Sequence, residues 1–197
     1  MVIPFKEKEN DDLKLMERIK EGDEEALKIL MESKIDKLHS FCTRLIGDRE
    51  EAKDLCQMVF LRIWQQAERF NPSFTLNTWL YKIAYNLCID TLRHKKSVDQ
   101  MEKRYLEAVR VEKRPASPLT ELQQEEIERI LKELSSELTP KQRAVFILHE
   151  IDEISTPEIA RILKSSQATI RNHLFHARKI ITEKLKEKYP EYADERL

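Results

Sequence analysis

One helix near the carboxyl terminus presents the side chains best suited to a chemical task. Between Gln167 and about Lys188, apolar residues recur every three or four positions, which is the period of an amphipathic helix. The apolar positions are Ile170, Leu174, Ala177, Ile181 and Leu185. The opposite face carries Arg171, Asn172, Phe175, Arg178 and Lys179. A long helix with a basic, amide-rich face is suited to the DNA major groove. The pattern therefore indicates nucleic acid as the leading partner.

Two shorter helices are predicted to position this face. Thr139 suits a helix N-cap, Pro140 suits the first helical position, and Gln142 can close a capping box. The segment Ser155-Thr156-Pro157-Glu158 repeats this pattern one helix later, and Ser165-Ser166 precedes the long helix. Two short helices followed by a longer basic one are typical of a helix-turn-helix.

Neither the histidines nor the cysteines have the spacing of a catalytic or metal site. The histidines are His39, His94, His149, His173 and His176, and the cysteines are Cys42, Cys56 and Cys88. No Gly-rich phosphate loop occurs in a sequence that has 2 glycines. We therefore predict a protein that is not an enzyme, with no catalytic residue, metal, cofactor or small-molecule substrate. The cysteines are predicted to be buried core thiols in a reducing cytosol.

Composition and hydropathy predict a cytoplasmic, all-α protein. The 197 residues include 36% charged residues, and neither Gly-bearing turns nor β-branched runs recur as strands would require. No apolar run approaches the length of a membrane span. The N-terminal residues MVIPFKEKEN lack an export signal.

Charge is distributed unevenly along the chain. Residues 1–60 contain 15 acidic and 11 basic side chains, whereas residues 155–188 contain 8 basic and 3 acidic ones. In such a chain, the acidic end can face a protein partner while the basic end faces a polyanion. The same distribution also fits an ordinary solvated surface.

The helical patterns divide the chain into two small domains joined by a flexible linker. Four helices are predicted in residues 1–96, with starts at Asp11, Asp23, Asp48 and about Thr75, and the fourth ends near His94. The apolar period fades in residues 97–118, which end in Arg114-Pro115-Ala116-Ser117-Pro118, so this segment is predicted to be the linker. A transient helix over Gln100–Val109 is an alternative. Residues 119–197 form the second domain, whose first helix covers Leu122 to Leu134.

Three blocks of sequence, in order, resemble RNA polymerase sigma factors of the extracytoplasmic-function (ECF) class. The first block runs from Asp54 to Trp64 and the second, from Phe74 to Arg93, is similar to the promoter-melting helix of that family. The third, from Thr169 to Arg178, is similar to the family's recognition helix. The resemblance implies a sigma region 2 domain, a linker and a region 4 domain.

For the first block, the resemblance implies a contact with core RNA polymerase. The exposed side of the Asp54–Trp64 helix would bind the clamp helices of the largest subunit, while region 4 would contact the flap. The implied polymerase-binding residues are Asp54, Gln57, Leu61 and Arg62. Phe60 and Trp64 are expected in the core. Met58 stands where the family usually has Glu, which changes one polar contact.

The second block and the loop before it are implied to capture the melted −10 promoter element. Unpaired bases need aromatic or amide platforms, which Phe70, Asn71 and Phe74 offer, together with cations for the phosphates. The other implied DNA-binding residues are Lys82, Asn86, Arg93, Lys95 and Lys96. Trp79 is expected in the core rather than as a platform. Asn86 either satisfies a buried backbone group or meets DNA, and we favour DNA.

The third block is implied to read the −35 element. At the family's base-reading positions, Arg171 suits guanine, Asn172 suits adenine and Phe175 can touch a thymine methyl group. Further implied contacts are Gln167 and Thr169, and the phosphate contacts are Arg161, Arg178 and Lys179. Lys184, Lys186 and Lys188 are expected on a solvated face. Lys164 replaces a common Gly, and Ala168, Asn172 and His173 replace frequent Gly, Ser and Arg, which predicts altered −35 recognition.

The function implied is that of an alternative sigma factor with three macromolecular partners. These are core RNA polymerase, promoter DNA and, as is common in the family, an anti-sigma factor. A stand-alone helix-turn-helix regulator is the alternative, since Leu138-Thr139-Pro140 and the Glu158-Ile159-Ala160 helix also resemble response-regulator domains. That alternative is disfavoured because the first domain shows no alternating strands and no phosphoacceptor Asp at a strand end.

Overall fold

The protein is described by a computed structural model that covers residues 5–106, 130 and 133–190, with side chains placed over 11–98, 130 and 133–190. Within these ranges the fold is all-α, as predicted, and contains no β-strand. The helices are α1 Phe5–Lys20, α2 Glu24–Ile46, α3 Arg49–Gln65, α4 Leu76–Leu106, α5 Pro140–Phe146, α6 Thr156–Ile162 and α7 Gln167–Lys188. A 3₁₀ turn covers Ala67–Arg69, and a π-helical turn covers Ile147–Ile151.

Side-chain caps start most of the helices where the sequence predicts them. The Asp23 carboxylate accepts a hydrogen bond from the Ala26 N–H at 3.1 Å, and Asp48 does the same for the Glu51 N–H. Thr139 and Gln142 form the predicted capping box of α5. Ser155 is different, because its hydroxyl makes no cap hydrogen bond and lies 3.3 Å from the Glu158 carboxylate instead.

Two helices are longer than predicted: α1 begins at Phe5 rather than at Asp11, and α4 continues past His94 to Leu106. Residues 95–106 contain neither Gly nor Pro, and most of them are good helix formers such as Lys, Gln, Met, Glu, Arg and Leu. The fading apolar period therefore marks the point where the helix leaves the core, not the point where it ends. The rest of the predicted linker, residues 107–118, and most of the Leu122–Leu134 helix lie outside the described residues.

The core of the first domain lies between α2, α3 and α4. Its largest fully buried side chains include Phe41, Phe60, Leu30, Leu38, Ile63 and Leu80. The three cysteines, one on each of these helices, are free thiols and buried, as expected. A hydrogen bond with Cys42 and burial raise the pKa of the Cys56 thiol, so this thiol stays protonated and unreactive at neutral pH.

In the second domain, α5, α6 and α7 form the predicted helix-turn-helix. Ile170, Leu174, Ala177 and Ile181 of α7 are buried, and α7 begins with the Ser166 hydroxyl accepting the Thr169 N–H at 3.0 Å. The turn between α6 and α7 contains Lys164 at φ +49°, in the left-handed region. This backbone angle explains why a Gly suits the position.

The expectation of a solvated face is wrong for Lys184, whose side chain is only 12% exposed, but Lys188 is exposed, as expected. The Lys184 ammonium donates to the Ser136 hydroxyl at 2.8 Å and pairs with Glu137 at 3.0 Å, and Lys188 pairs with Glu133. The end of α7 thus lies along the segment before α5, where Lys184 and Lys188 meet acidic and hydroxyl groups. Lys186 is exposed, as expected.

Candidate polymerase and DNA interfaces

Helix α3 presents one exposed face whose centre is apolar. Asp54, Gln57, Met58 and Leu61 recur at three- and four-residue spacing and all point away from the core. Met58 and Leu61 are 42% and 46% exposed, which is unusual for large apolar side chains on an otherwise well-buried helix. Asp54 and Gln57 lie beside them, so the face combines an apolar centre with polar edges.

On α3, the residues predicted to lie in the core are separate from those predicted to lie on the surface. Phe60 is buried and Trp64 is half-buried against the core, as expected. Arg62 is half-buried, and neither it nor Asp54 forms an ion pair within the described part of the chain. The face can therefore accept an external partner without first breaking an internal ion pair.

The loop between α3 and α4 is shaped by Asn71 and Pro72. The Asn71 side-chain oxygen accepts the Ser73 N–H at 2.9 Å, and its backbone carbonyl accepts the Phe74 N–H at 3.1 Å. This turn leaves the Phe74 ring exposed and brings Thr75 to the start of α4, where its hydroxyl accepts the Thr78 N–H at 3.1 Å. Asn71 therefore acts as a turn former, in addition to any contact with DNA.

Phe70 corrects the expectation of an exposed stacking platform. Its ring is only 5% exposed and lies 5.3 Å from the ring of Trp79, which is itself half-buried, as expected. The 3₁₀ turn over Ala67–Arg69 points Phe70 back into the core, where burying an aromatic ring is strongly favourable. In this structure, Phe74 is the aromatic side chain of the loop that is open to a base.

The implied DNA-binding residues of α4 differ in their surroundings. Asn86 is exposed, which rules out the alternative of a buried amide. Lys96 is exposed, Lys82 is half-buried and Arg93 lies 3.6 Å from Asp90. Lys95 pairs with Glu51 and lies 3.9 Å from Asp48, so it ties α4 to the start of α3.

The outer face of α7 has the arrangement expected of a recognition helix. Arg171, Asn172 and Phe175 are exposed, and Phe175 is 64% exposed, the highest value among the large apolar side chains of the described residues. Gln167 is exposed at the start of the helix, and the Thr169 hydroxyl lies 2.8 Å from that of Ser166. A guanidinium, an amide and an aromatic ring are thus presented on one helical face.

The implied phosphate contacts of this domain all have intramolecular partners. Arg178 donates from Nε and Nη2 to the same Glu150 oxygen, at 3.0 and 2.7 Å, and Lys179 lies 3.9 Å from Glu183. The Arg161 guanidinium lies 5.7 Å from the centre of the Phe74 ring in the first domain. Exposed pairs of this kind are weak, so they can exchange for phosphate at low energetic cost.

The two domains touch through α6, which lies against α4. The hydroxyls of Thr75 and Thr78 both lie 3.1 Å from Oε1 of Glu158 on α6. Arg143 on α5 donates to the Leu45 carbonyl on α2 at 3.2 Å. None of these partners is close in sequence, so the sequence offered no signal for them.

Asp152 is half-buried at the same domain boundary, with its Oδ2 atom enclosed. Burial raises the pKa of its carboxyl to about 6, while a hydrogen bond with Tyr81 and the charges of Arg44 and Lys37 partly oppose the rise. Tyr81, Arg44 and Lys37 all belong to the first domain. The ionisation of Asp152 is therefore coupled to the contact between the domains.

Comparison with known proteins gives the same two modules. Sigma-70 region 2 matches residues 30–98, and Sigma-70 region 4 matches residues 128–181. The ECF RNA polymerase sigma factor SigW of Bacillus subtilis is 28% identical over 183 residues, which cover 88% of this chain and 96% of SigW. The RNA polymerase sigma-H factor of Pseudomonas aeruginosa is 26% identical over 183 residues, covering 90% and 95%.

Two solved structures share the fold. CnrH, in complex with the cytosolic domain of CnrY, has a TM-score of 0.68 at 18% identity, covering 90% of this chain and 99% of CnrH. The sigma factor RpoE from Bartonella quintana, in complex with the anti-sigma factor NepR, has a TM-score of 0.64 at 23% identity, covering 82% and 97%.

A helical region 2 followed by a helix-turn-helix region 4 defines the architecture of a sigma-70-type initiation factor. A region 2 ahead of the helix-turn-helix also supports a sigma factor over a stand-alone regulator. The chain belongs to the ECF class of RNA polymerase sigma factors. No described helix combines the length and hydrophobicity needed to cross a bilayer. Likewise, no group of three or more potential metal ligands occurs in the described residues.

Proposed function

We propose that this chain is an alternative sigma factor that divides initiation among three surfaces. The exposed α3 face binds core RNA polymerase, the loop at Phe74 with α4 captures the melted −10 strand, and α7 reads the −35 element. The observation that carries this proposal is the outward placement of two separate faces, α3 in region 2 and α7 in region 4.

Polymerase binding is assigned to Asp54, Gln57, Leu61 and Arg62, with Met58 added from its exposure. Protein interfaces that bind specifically combine an apolar centre with a polar rim. Met58 and Leu61 supply the centre, and Asp54 and Gln57 supply hydrogen-bonding edges. The clamp helices of the largest subunit are the proposed counterpart, with region 4 contacting the flap.

Strand capture is assigned to Phe74, Asn71 and the polar residues of α4. An exposed aromatic ring stacks on an unpaired base whatever its identity, and nearby cations attract the phosphates. Lys82, Arg93 and Lys96 are the available cations, and Asn86 supplies an exposed amide. Lys95 would have to leave Glu51 in order to contribute.

Duplex recognition is assigned to the exposed face of α7. Arg171 can bond to the O6 and N7 atoms of guanine, Asn172 to adenine, and Phe175 can contact a thymine methyl group. Arg161, Arg178 and Lys179 would fix the register of the helix by contacting phosphates.

An anti-sigma factor is the proposed regulatory partner, and the cytoplasm is the proposed site of action. One structural relative is a complex with the anti-sigma factor NepR, and the other is a complex with the cytosolic domain of CnrY. A sigma factor must also share a compartment with core RNA polymerase.

Run-off transcription tests the proposed function directly. Core RNA polymerase would be incubated with a genomic fragment library, with and without the purified chain. We expect discrete transcripts that require both proteins and share two upstream sequence elements. Core polymerase alone is the control. Tight, sequence-specific binding of the chain to duplex DNA, without any polymerase-dependent transcript, would favour a stand-alone regulator.

A further inference from the structure

Glu150 holds Arg178, one of the proposed phosphate contacts, in a defined orientation. Nε and Nη2 of Arg178 both donate to Glu150 Oε1, at 3.0 and 2.7 Å, and Nδ1 of His149 lies 2.9 Å from the same oxygen. The side chains of Arg178 and Glu150 are 55% and 31% exposed. Hydrogen bonds between a guanidinium and a carboxylate are stronger than those between neutral groups. Because two of them meet here, Glu150 limits the rotation of the guanidinium.

The turn that carries Glu150 is well anchored in the second domain. Ile147–Ile151 form the π-helical turn, and the side chains of Ile147 and Leu148 are buried. The Asp152 N–H donates to the Ile147 carbonyl at 3.0 Å and closes the turn. Turns of this kind are rare and occur frequently at functional sites, because the additional residue changes the direction of the side chains around it. Glu150 therefore reaches α7 from a fixed position.

The end of the Arg178 guanidinium that does not face Glu150 is left for DNA. A guanidinium has five N–H donors in a flat group. Glu150 uses Nε and Nη2, so the end formed by Nη1 and the second N–H of Nη2 is left for a phosphate. Arg178 follows Phe175 by three positions and Arg171 by seven, so the three side chains share one face of α7. Arg178 can thus bind a phosphate beside the proposed base contacts and keep its partner.

Two effects of Glu150 on DNA binding oppose each other. Its negative charge repels phosphates, whereas its hydrogen bonds order the Arg178 side chain before DNA arrives. Ordering a long side chain on binding weakens affinity by about 2- to 10-fold, and a group that is already ordered avoids this loss. The guanidinium lies between the carboxylate and a phosphate bound at its far end, and solvent ions screen exposed charges. The ordering effect is therefore the larger of the two.

We propose that Glu150 is a positioning residue for duplex binding, which keeps the free end of the Arg178 guanidinium directed at the DNA backbone. The ligand is the phosphate backbone, so the effect does not depend on base sequence. The proposal rests on the proposed function of α7 and deepens it, because it identifies a negatively charged residue that favours binding to a polyanion.

Fluorescence anisotropy of a short, labelled DNA duplex of arbitrary sequence, titrated with the full chain at low salt, measures the phosphate contacts without polymerase. Glu150→Ala removes the carboxylate. Glu150→Gln removes the charge but keeps an oxygen that can accept from Arg178. Glu183→Ala is the matched control, because Glu183 is an exposed carboxylate on α7 that lies 3.9 Å from Lys179, another proposed phosphate contact.

We expect Glu150→Ala to weaken duplex binding by about 2- to 10-fold, although it removes a negative charge. Glu150→Gln should bind at least as tightly as the wild type, because the oxygen remains and the charge is gone. Glu183→Ala should not weaken binding, since its long contact with one ammonium does not fix an orientation. A Glu150→Ala chain that binds as tightly as the wild type would overturn the proposal, and so would a wild-type chain that does not bind the duplex.

Arg178→Ala separates positioning from support of the fold. Loss of this cation should weaken binding and lower the slope of log affinity against log salt concentration by about 0.9. When Glu150→Ala is added to Arg178→Ala, we expect no further loss, because no guanidinium is left to position. An unchanged slope in Arg178→Ala, or an equal loss from Glu150→Ala in both backgrounds, would overturn the proposal. Run-off transcription by the wild-type chain decides separately whether the proposed function holds.

Discussion

Lys164 and Glu153 are the two residues of the described part of the chain, other than Gly, that have a positive φ. Lys164 is the one that stands in the turn before α7. At φ +49° it occupies the left-handed region, which costs a residue with a Cβ roughly 1–2 kcal/mol. We expect Lys164→Gly to stabilise the protein by up to about 1 kcal/mol, because the greater freedom of Gly in the unfolded chain offsets part of the gain. The midpoint of urea unfolding, followed by circular dichroism, measures this change.

Lys164→Ala is the matched control for this substitution. It removes the charge but keeps the Cβ, so it should leave the unfolding midpoint close to that of the wild type. An Ala variant as stable as the Gly variant would show that charge, not backbone strain, determines the effect.

Arg171 is the residue on which base-specific recognition by α7 should depend most. Its guanidinium is exposed, and loss of a bidentate contact with guanine costs about 1–3 kcal/mol of discrimination. We therefore expect Arg171→Ala to reduce transcription from promoters with an intact upstream element and to relax the preference at one base pair. Run-off transcription across single-base promoter variants measures both. Lys186→Ala, an exposed cation near the end of α7, should leave the preference unchanged, and an equal effect of both variants would contradict the assignment.

Among the structural elements, α3 offers the sharpest test of polymerase binding. Leu61 is 46% exposed at the centre of the proposed face, and apolar residues at interface centres carry much of the binding free energy. We expect Leu61→Asp to weaken binding to core polymerase by at least about 10-fold, measured by titration with a labelled chain. Ile29→Asp is the matched control, because Ile29 is a similarly exposed apolar residue on α2. Equal affinities for the two variants would remove α3 from the interface.

At the scale of the helices, local signals in the sequence predicted most of the starts well. Asp23, Asp48 and Thr139 cap helices as expected, because a cap depends on residues only three positions apart. The end of α4 was missed because the apolar period fades after His94, although neither Gly nor Pro interrupts residues 95–106. The burial of Phe70 was missed because it depends on a ring contact with Trp79, which the local pattern does not encode.

For the whole molecule, the sequence predicted the surfaces but not the way in which the domains meet. The faces of α3 and α7 follow from helical period, which fixes the direction of each side chain from its neighbours. The contacts of Glu158 with Thr75 and Thr78 join residues more than 80 positions apart, and nothing in the local pattern links them. The same is true of Asp152 and Tyr81, which are also far apart in the sequence.

Asp152 should make the form in which the two domains touch, here called closed, more stable in acid than the open form in which they are separated. Its carboxyl has a pKa of about 6 when buried against Tyr81 and an ordinary value near 3.8 when exposed, so the closed form binds the proton more tightly. The stabilisation is full below pH 3.8 and is lost as the pH rises through 6. Between pH 5 and 7 the closed-to-open ratio should therefore fall about tenfold. Fluorescence energy transfer between dyes on two introduced, exposed cysteines, Glu32→Cys and Lys186→Cys, measures this ratio, because the native cysteines are buried.

Asp152→Asn should remove this part of the pH dependence, because the amide does not titrate. At pH 7 the variant should also be more closed than the wild type, since a neutral group replaces a buried charge that Arg44 and Lys37 compensate only in part. Glu153→Gln changes the neighbouring exposed carboxyl and should keep the wild-type slope. If Asp152→Asn gives the same dependence of the closed-to-open ratio on pH as the wild type, the Asp152 carboxyl is not the group whose protonation stabilises the contact between the domains.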